Sequence, residues 1–284
     1  MPDAGTIINN MKQMKTLPGV AIRLIRMISD GSKSLQDFEE VIKLDPILVL
    51  RVLKTVNSSF YALNTKVDTI REALAFIGMD NLRNMIVMDV VKNILKDGQD
   101  NKDLFSRTDL WLHCAATGIC AQMISERIFG IKGESSFLCG LIHDIGMIIE
   151  DQVVPELFMQ ACKMHNLGKK QIDECERLTI GTDHAAIGFQ IAQDWNLPDE
   201  IMEAVRDHHK DIPELEPETG TGIIKLAEYL SYRLGYMPLP GMKIFLPESL
   251  INHMHTSIQD YKTIIADLPG ELQKANSIFL LDQE

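Results

Sequence analysis

Between Phe137 and Ile149 the chain is apolar except for two adjacent ionisable residues, His143 and Asp144. Thirteen residues are too few to cross a bilayer, which takes about 20, so this segment belongs inside a protein core. Burying an imidazole and a carboxylate is costly unless partners or a metal ion neutralise them. A chain with this segment has to deliver further polar side chains to positions 143 and 144.

The surrounding sequence reads as helix. Apolar residues recur at helical spacing, and sustained alternation with a period of two is absent. Leu17-Pro18-Gly19 precedes a first helix that runs to about Ser29 and is stopped by Asp30-Gly31. Ser34 with Asp37 makes a capping-box analogue, and Asp45-Pro46 supplies an N-cap and a first helical residue. Asn57-Ser58-Ser59 ends that segment, Thr69–Ile77 is a short helix closed by Gly78, and Asp80 starts a longer one through Ile94. The polar stretch from Lys96 to Asp103 reads as a linker. Later helices are expected over Arg107–Phe129, Ser135–Ile149, from Pro155 to near Leu167, and over Lys170–Leu178, His184–Trp195, Ile201–His209 and Gly222–Leu234. Lys243–Leu246 is either extended or helix-flanking. The fold class is therefore all-α. The expected organisation is an N-terminal helical part (1–104), a second helical subdomain (105–240) and a C-terminal helical extension (241–284).

Composition narrows the function. The chain has 284 residues, 45% of them hydrophobic, which is ample for a core. No run of 18 apolar residues exists, and the N-terminus lacks a basic stretch followed by an apolar one, so the cytoplasm is the default compartment and no membrane association is expected. A net charge of −12 with no basic stripe disfavours nucleic acid. A small anionic ligand stays admissible, because a bound metal supplies local positive charge. Cys114, Cys120, Cys139, Cys162 and Cys175 form no C-x-x-C pair and read as free buried thiols.

Histidines are scarce, and several fall where a helical metal site needs them. His113 lies mid-helix, and His143-Asp144 follows 30 residues later, about the length of a helix, a turn and half a second helix. The two can then face each other across an antiparallel pair. His184 opens a further helix, and His208-His209 closes another, which adds up to three more nitrogen ligands and enough donors for a second ion. Imidazoles with a carboxylate suit iron, manganese or zinc. Each residue also has an ordinary role: His113 as a satisfied core residue, His184 as a polar group in a first turn, His208-His209 as cations favouring a helix C-terminus.

The chain resembles the HD superfamily of metal-dependent phosphohydrolases, and more closely the HDOD family of output domains in bacterial signalling proteins. The resemblance runs from about Leu17 to Gly235. It is carried by Leu17-Pro18, Asp45-Pro46, Val56-Asn57-Ser58-Ser59-Phe60-Tyr61, Ile70-Arg71-Glu72-Ala73, Ile77-Gly78, Trp111-Leu112-His113 and Gly140-Leu141-Ile142-His143-Asp144-Ile145-Gly146. The segments His184-Ala185-Ala186-Ile187-Gly188, Trp195-Asn196-Leu197-Pro198 and His208-His209 complete it. It implies an HD-like helical bundle in which His113, His143 and Asp144 are metal ligands, with Glu228 where HD enzymes place an aspartate. By similarity to two-metal HD-GYP enzymes, it implies that His184, His208 and His209 add a second ligand set, with Asp144 bridging. One or two divalent ions (Fe, Mn, Zn or Mg) are implied, with Asp144 also catalytic.

Two departures bear on activity. Met147 follows Ile145-Gly146 where HD enzymes often carry lysine, and no Gly-Tyr-Pro follows His208-His209. Arg206 and Lys210, four apart around the histidine pair, are the candidate anion-binding residues. The resemblance thus favours a regulatory signalling module with a metal site, with a signalling protein or a small phosphorylated ligand as partner. An active hydrolase of a nucleotide or other phosphate ester is the alternative.

Overall fold

Local sequence signals set the helix starts. Ser34 Oγ accepts from the Asp37 amide at 3.3 Å, and the Asp37 carboxylate accepts from the Ser34 amide at 2.7 Å, a complete capping box. Asp45 Oδ1 accepts from the Leu48 amide at 3.1 Å. The computed structural model describes residues 7, 19–30, 32–57, 67–96, 104–168 and 170–279. Leu17-Pro18, Gly31, Ser58–Tyr61 and most of the polar stretch, 97–103, lie outside the described residues.

The helices are α1 (Gly19–Asp30), α2 (Leu35–Ile42), α3 (Pro46–Val56), α4 (Ile70–Lys96), α5 (Arg107–Ile124, extended by a π-helical turn Ser125–Phe129) and α6 (Glu134–Ile142). They continue as α7 (Ile145–Val153), α8 (Pro155–Asn166), α9 (Ile172–Thr179), α10 (His184–Asp194), α11 (Asp199–Asp207), α12 (Gly220–Arg233), α13 (Glu248–Thr256) and α14 (Ile258–Phe279). No strand occurs among the described residues, and none of their helices is long and apolar enough to cross a membrane. Lys243–Leu246 is irregular.

Two expected boundaries are corrected. The helices on either side of Gly78 run on as one element, kinked where Gly78 takes φ 75°, ψ 169°. The expected single helix over Ser135–Ile149 is broken at the His-Asp pair. Asp144 takes φ −99°, ψ 12° and becomes the N-cap of α7. Its side chain caps no amide there, because it is turned toward the histidines.

Helix α5 lies at the centre, packed by α6, α12 and α14. The α5–α6 crossing is close because both backbones carry glycine: a Cβ on Gly140 would lie 2.5 Å from the Gly118 nitrogen. That approach brings His113, on α5, against His143, just after α6. The N-terminal helices α1, α2 and α3 pack on α4, and α4 packs on α6, where the Asn84 amide donates to the Glu134 carbonyl at 2.9 Å. All five cysteines are buried and free.

Candidate metal centre

Four imidazoles converge on the buried Asp144 carboxylate. His113 Nε2 and His143 Nε2 lie 3.4 and 3.2 Å from Oδ2. His184 Nε2 and His208 Nε2 lie 3.4 and 3.5 Å from Oδ1. His209 Nε2 completes the second group, 2.8 Å from His184 Nε2. The side chains come from five places: α5, the α6–α7 junction, the first residue of α10, the two residues after α11, and, for Glu228, α12. Donor atoms of His113, His143 and Glu228 form one cluster, and those of Asp144, His184, His208 and His209 a second, each within 4.8 Å. The fully buried helix break at 143–144 is what turns Asp144 inward.

The outer nitrogens show how the rings are held. His113 Nδ1 donates to the Tyr236 carbonyl (3.0 Å), His143 Nδ1 to the Gly140 carbonyl (2.8 Å) and His208 Nδ1 to the Val205 carbonyl (2.7 Å). His184 Nδ1 donates to the Glu176 carboxylate (2.6 Å). Carbonyl and carboxylate oxygens only accept, so Nδ1 carries the hydrogen in each ring. Nε2 is then the nitrogen presented inward, as a lone pair or a displaceable proton.

These residues fit a divalent ion. Both Asp144 oxygens, His208 Nε2 and Glu228 Oε1 are buried with no hydrogen-bond partner, although imidazole nitrogens surround the carboxylate. Buried polar atoms are rarely orphaned in native proteins. Cations held by the two donor clusters would satisfy these atoms, and the mixed nitrogen and carboxylate donors suit them.

The electrostatics agree. Burial alone would raise the Asp144 carboxyl, but the charge on His143 and the neighbouring His113, His143 and His208 imidazoles hold it well below the usual range. Burial lowers His143, and Asp144 and Glu228 more than offset it, so it ends raised. Burial also lowers His184, yet Glu176 and Asp144 lift it to about 10. His209 is pushed well down by burial and by the charges on His208 and His184.

Of the residues expected from sequence, His113, His143, Asp144, His184, His208, His209 and Glu228 are brought together. Arg206 is not. Its guanidinium is bonded to both Asp207 oxygens at 2.7 Å and lies over the Phe189 ring, 5.3 Å from its centre. Lys210 is bonded to Asp207 at 2.7 Å and lines a cavity of about 420 Å³ that opens onto His208, His209 and Glu228.

Glu176, Glu150 and Lys225 also belong to the site and are not among the residues expected from sequence. Glu176 accepts from both the His184 ring and its backbone amide (3.0 Å). Glu150 is fully buried beside it, its carboxyl raised well above the ordinary range by burial and then by the charge on Glu176. Glu150 directly follows the apolar run Met147-Ile148-Ile149, the same signal that marked His143-Asp144. Because Glu176 fixes the His184 ring, Glu176→Gln is expected to weaken metal binding by about 10–100-fold. Competition with a chromogenic chelator measures it, and undiminished affinity would contradict the assigned role.

Comparison with known proteins agrees with this architecture. The HDOD domain family matches residues 14–211. An uncharacterized protein of Treponema pallidum (strain Nichols) is 26% identical over 253 residues, 88% of this chain and 47% of its own length. The chain thus spans about half of that relative. Among solved structures, an HDOD domain protein of unknown function from Geobacter sulfurreducens superposes with TM-score 0.70 at 23% identity, covering 93% of each chain. A candidate signal transduction protein from Marinobacter aquaeolei VT8 gives TM-score 0.71 at 21% identity, covering 92% of this chain and 59% of that one. A candidate phosphohydrolase from Shewanella amazonensis SB2B gives 0.66 at 19%, covering 96% and 94%. At such identities the solved structures speak for the fold, and the family match extends over most of the chain, from before α1 to just past His209: this chain belongs to the HDOD family.

Proposed function

We propose that the chain binds one or two divalent ions at the Asp144 centre and hydrolyses a small phosphate ester in the adjoining cavity, as an output step in signalling. One observation carries this reading. Both oxygens of a buried carboxylate face inward-turned imidazole nitrogens, and the second histidine group opens onto a cavity of about 420 Å³. Such a volume is within the range of small-ligand sites.

When bound, the ion supplies Lewis acidity and water activation at neutral pH. The chain's own residues supply the rest. His113, His143 and Glu228 would hold one position, and His184, His208 and His209 a second, with Asp144 between them. Glu176 fixes the orientation of His184. The Met147 side chain is fully buried and does not line the cavity, whose cationic groups Arg177, Lys210, Lys225 and Lys243 come from other parts of the chain.

A regulatory module that holds metal structurally is the second reading. It is favoured by the Asn84–Glu134 bond, which ties the N-terminal helices to the helix that ends at His143. A phosphatase and phosphodiesterase panel with manganese- or iron-loaded protein separates the two. Turnover lost on chelation supports the hydrolase. A stoichiometric metal without turnover on any ester overturns it in favour of the regulator.

A further inference from the structure

His208, His209 and Glu228 of the candidate metal centre line the cavity, and a buried charge beside them is left unexplained. Lys225 is 7% exposed and lines the cavity with His208, His209 and Glu228. It sits on α12 three residues before Glu228, so the two share one face of the helix. It makes no hydrogen bond and no ion pair with any described residue. Of the other cations that line it, Arg177 is paired with Asp173 (2.8 Å) and Asp183 and Lys210 with Asp207, while Lys243 is exposed to solvent, so Lys225 is the buried one. Of the carboxylates whose charge acts on Lys225, Glu228 belongs to the donor set, Asp173 is held by Arg177, and Asp211 forms no ion pair with it. A largely buried ammonium without an ion-pair partner is costly, and that cost is reduced if an anion enters the cavity.

Ile244, Phe245 and Leu246 supply an apolar part of the same lining, with Phe245 71% exposed. This segment is irregular; Ile244 and Leu246 pack against the core and Phe245 is left exposed.

We propose that Lys225 is the phosphoryl-binding residue of this site, and that the ligand is a phosphate monoester whose organic part lies against Phe245. The inference rests on reading the cavity as the substrate site. A monoester fits better than a diester because its phosphoryl group carries up to two negative charges near neutral pH, which a metal centre plus an ammonium can balance. Lys225 takes the role that the sequence leaves vacant at Met147, from a different helix.

The test compares wild type, Lys225→Met, Lys225→Arg and Phe245→Ala by calorimetric titration with inorganic phosphate and with phenyl phosphate. Metal content and melting temperature are read on the same samples. Lys225→Met is expected to bind inorganic phosphate about 10-fold more weakly or worse. Its metal content should be unchanged, and its melting temperature equal or higher, since a buried unpaired charge is removed. Lys225→Arg should retain much of the affinity. Phe245→Ala should weaken phenyl phosphate and leave inorganic phosphate unaffected. Equal phosphate affinity in wild type and Lys225→Met, or no phosphate binding by wild type, overturns the assignment of Lys225. Loss of turnover with phosphate binding and its Lys225 dependence intact would instead overturn the hydrolase reading and leave this one standing.

Discussion

Asp144→Ala is expected to yield a folded protein that no longer retains metal, with affinity lowered by roughly 100-fold or more, the upper end of what losing even an outer partner costs. Asp144 is the residue that faces both histidine groups, one oxygen toward His113 and His143, the other toward His184 and His208. Its removal leaves inward-turned imidazoles with no central negative charge, and bound cations then meet nitrogen donors and Glu228 alone. Phosphoesterase turnover should fall to background. Elemental analysis and the ester panel check both effects. Metal retained at wild-type stoichiometry in the variant would mean that the carboxylate is not at the heart of the site.

Gly146→Ala should damage the protein through packing. A Cβ at position 146 would lie 2.1 Å from the His184 carbonyl oxygen and 2.6 Å from its Cα. These are backbone atoms, so no side-chain rotation relieves the clash. Either α7 or the start of α10 has to move, and both carry the site. Overpacking of this kind costs about 1–3 kcal/mol, occasionally more, and the melting temperature falls by roughly 2–4 °C for each kcal/mol in a domain near this size. Because His184 is displaced in the process, metal affinity should fall as well, which an ordinary core clash would not cause. Thermal unfolding with and without metal separates the two. A variant with wild-type melting and affinity would show that α7 and His184 do not pack as described.

Much of this architecture is legible in the sequence because its signals are local. Ser34 with Asp37 and Asp45 with Pro46 announce helix starts through caps that any backbone of that sequence can form. The metal donors are legible for a different reason. Histidine is rare in this chain, and an ionisable pair in an apolar run has to be answered by partners elsewhere. What stays hidden depends on three-dimensional placement. Periodicity carries straight through His143-Asp144, so the break there is invisible until the carboxylate is seen to face four rings rather than cap its own helix. Arg206 and Lys210 sit beside His208-His209 in sequence, yet the former is drawn off by Asp207 and Phe189. Lys225 lies far from His143 in sequence and looks like an ordinary helix lysine; only its burial beside Glu228 marks it. Glu176 is similar, since nothing in Asp173-Glu174-Cys175-Glu176 distinguishes the one acid that turns inward to His184.

Asp144 and its five histidines are expected to hold a divalent ion. Elemental mass spectrometry of protein purified without chelator, repeated after chelation and after addition of manganese, tests it most directly. One or two ions per chain are expected, removed by chelator and restored by manganese. A chain that carries no metal as purified and takes up none on addition would contradict it.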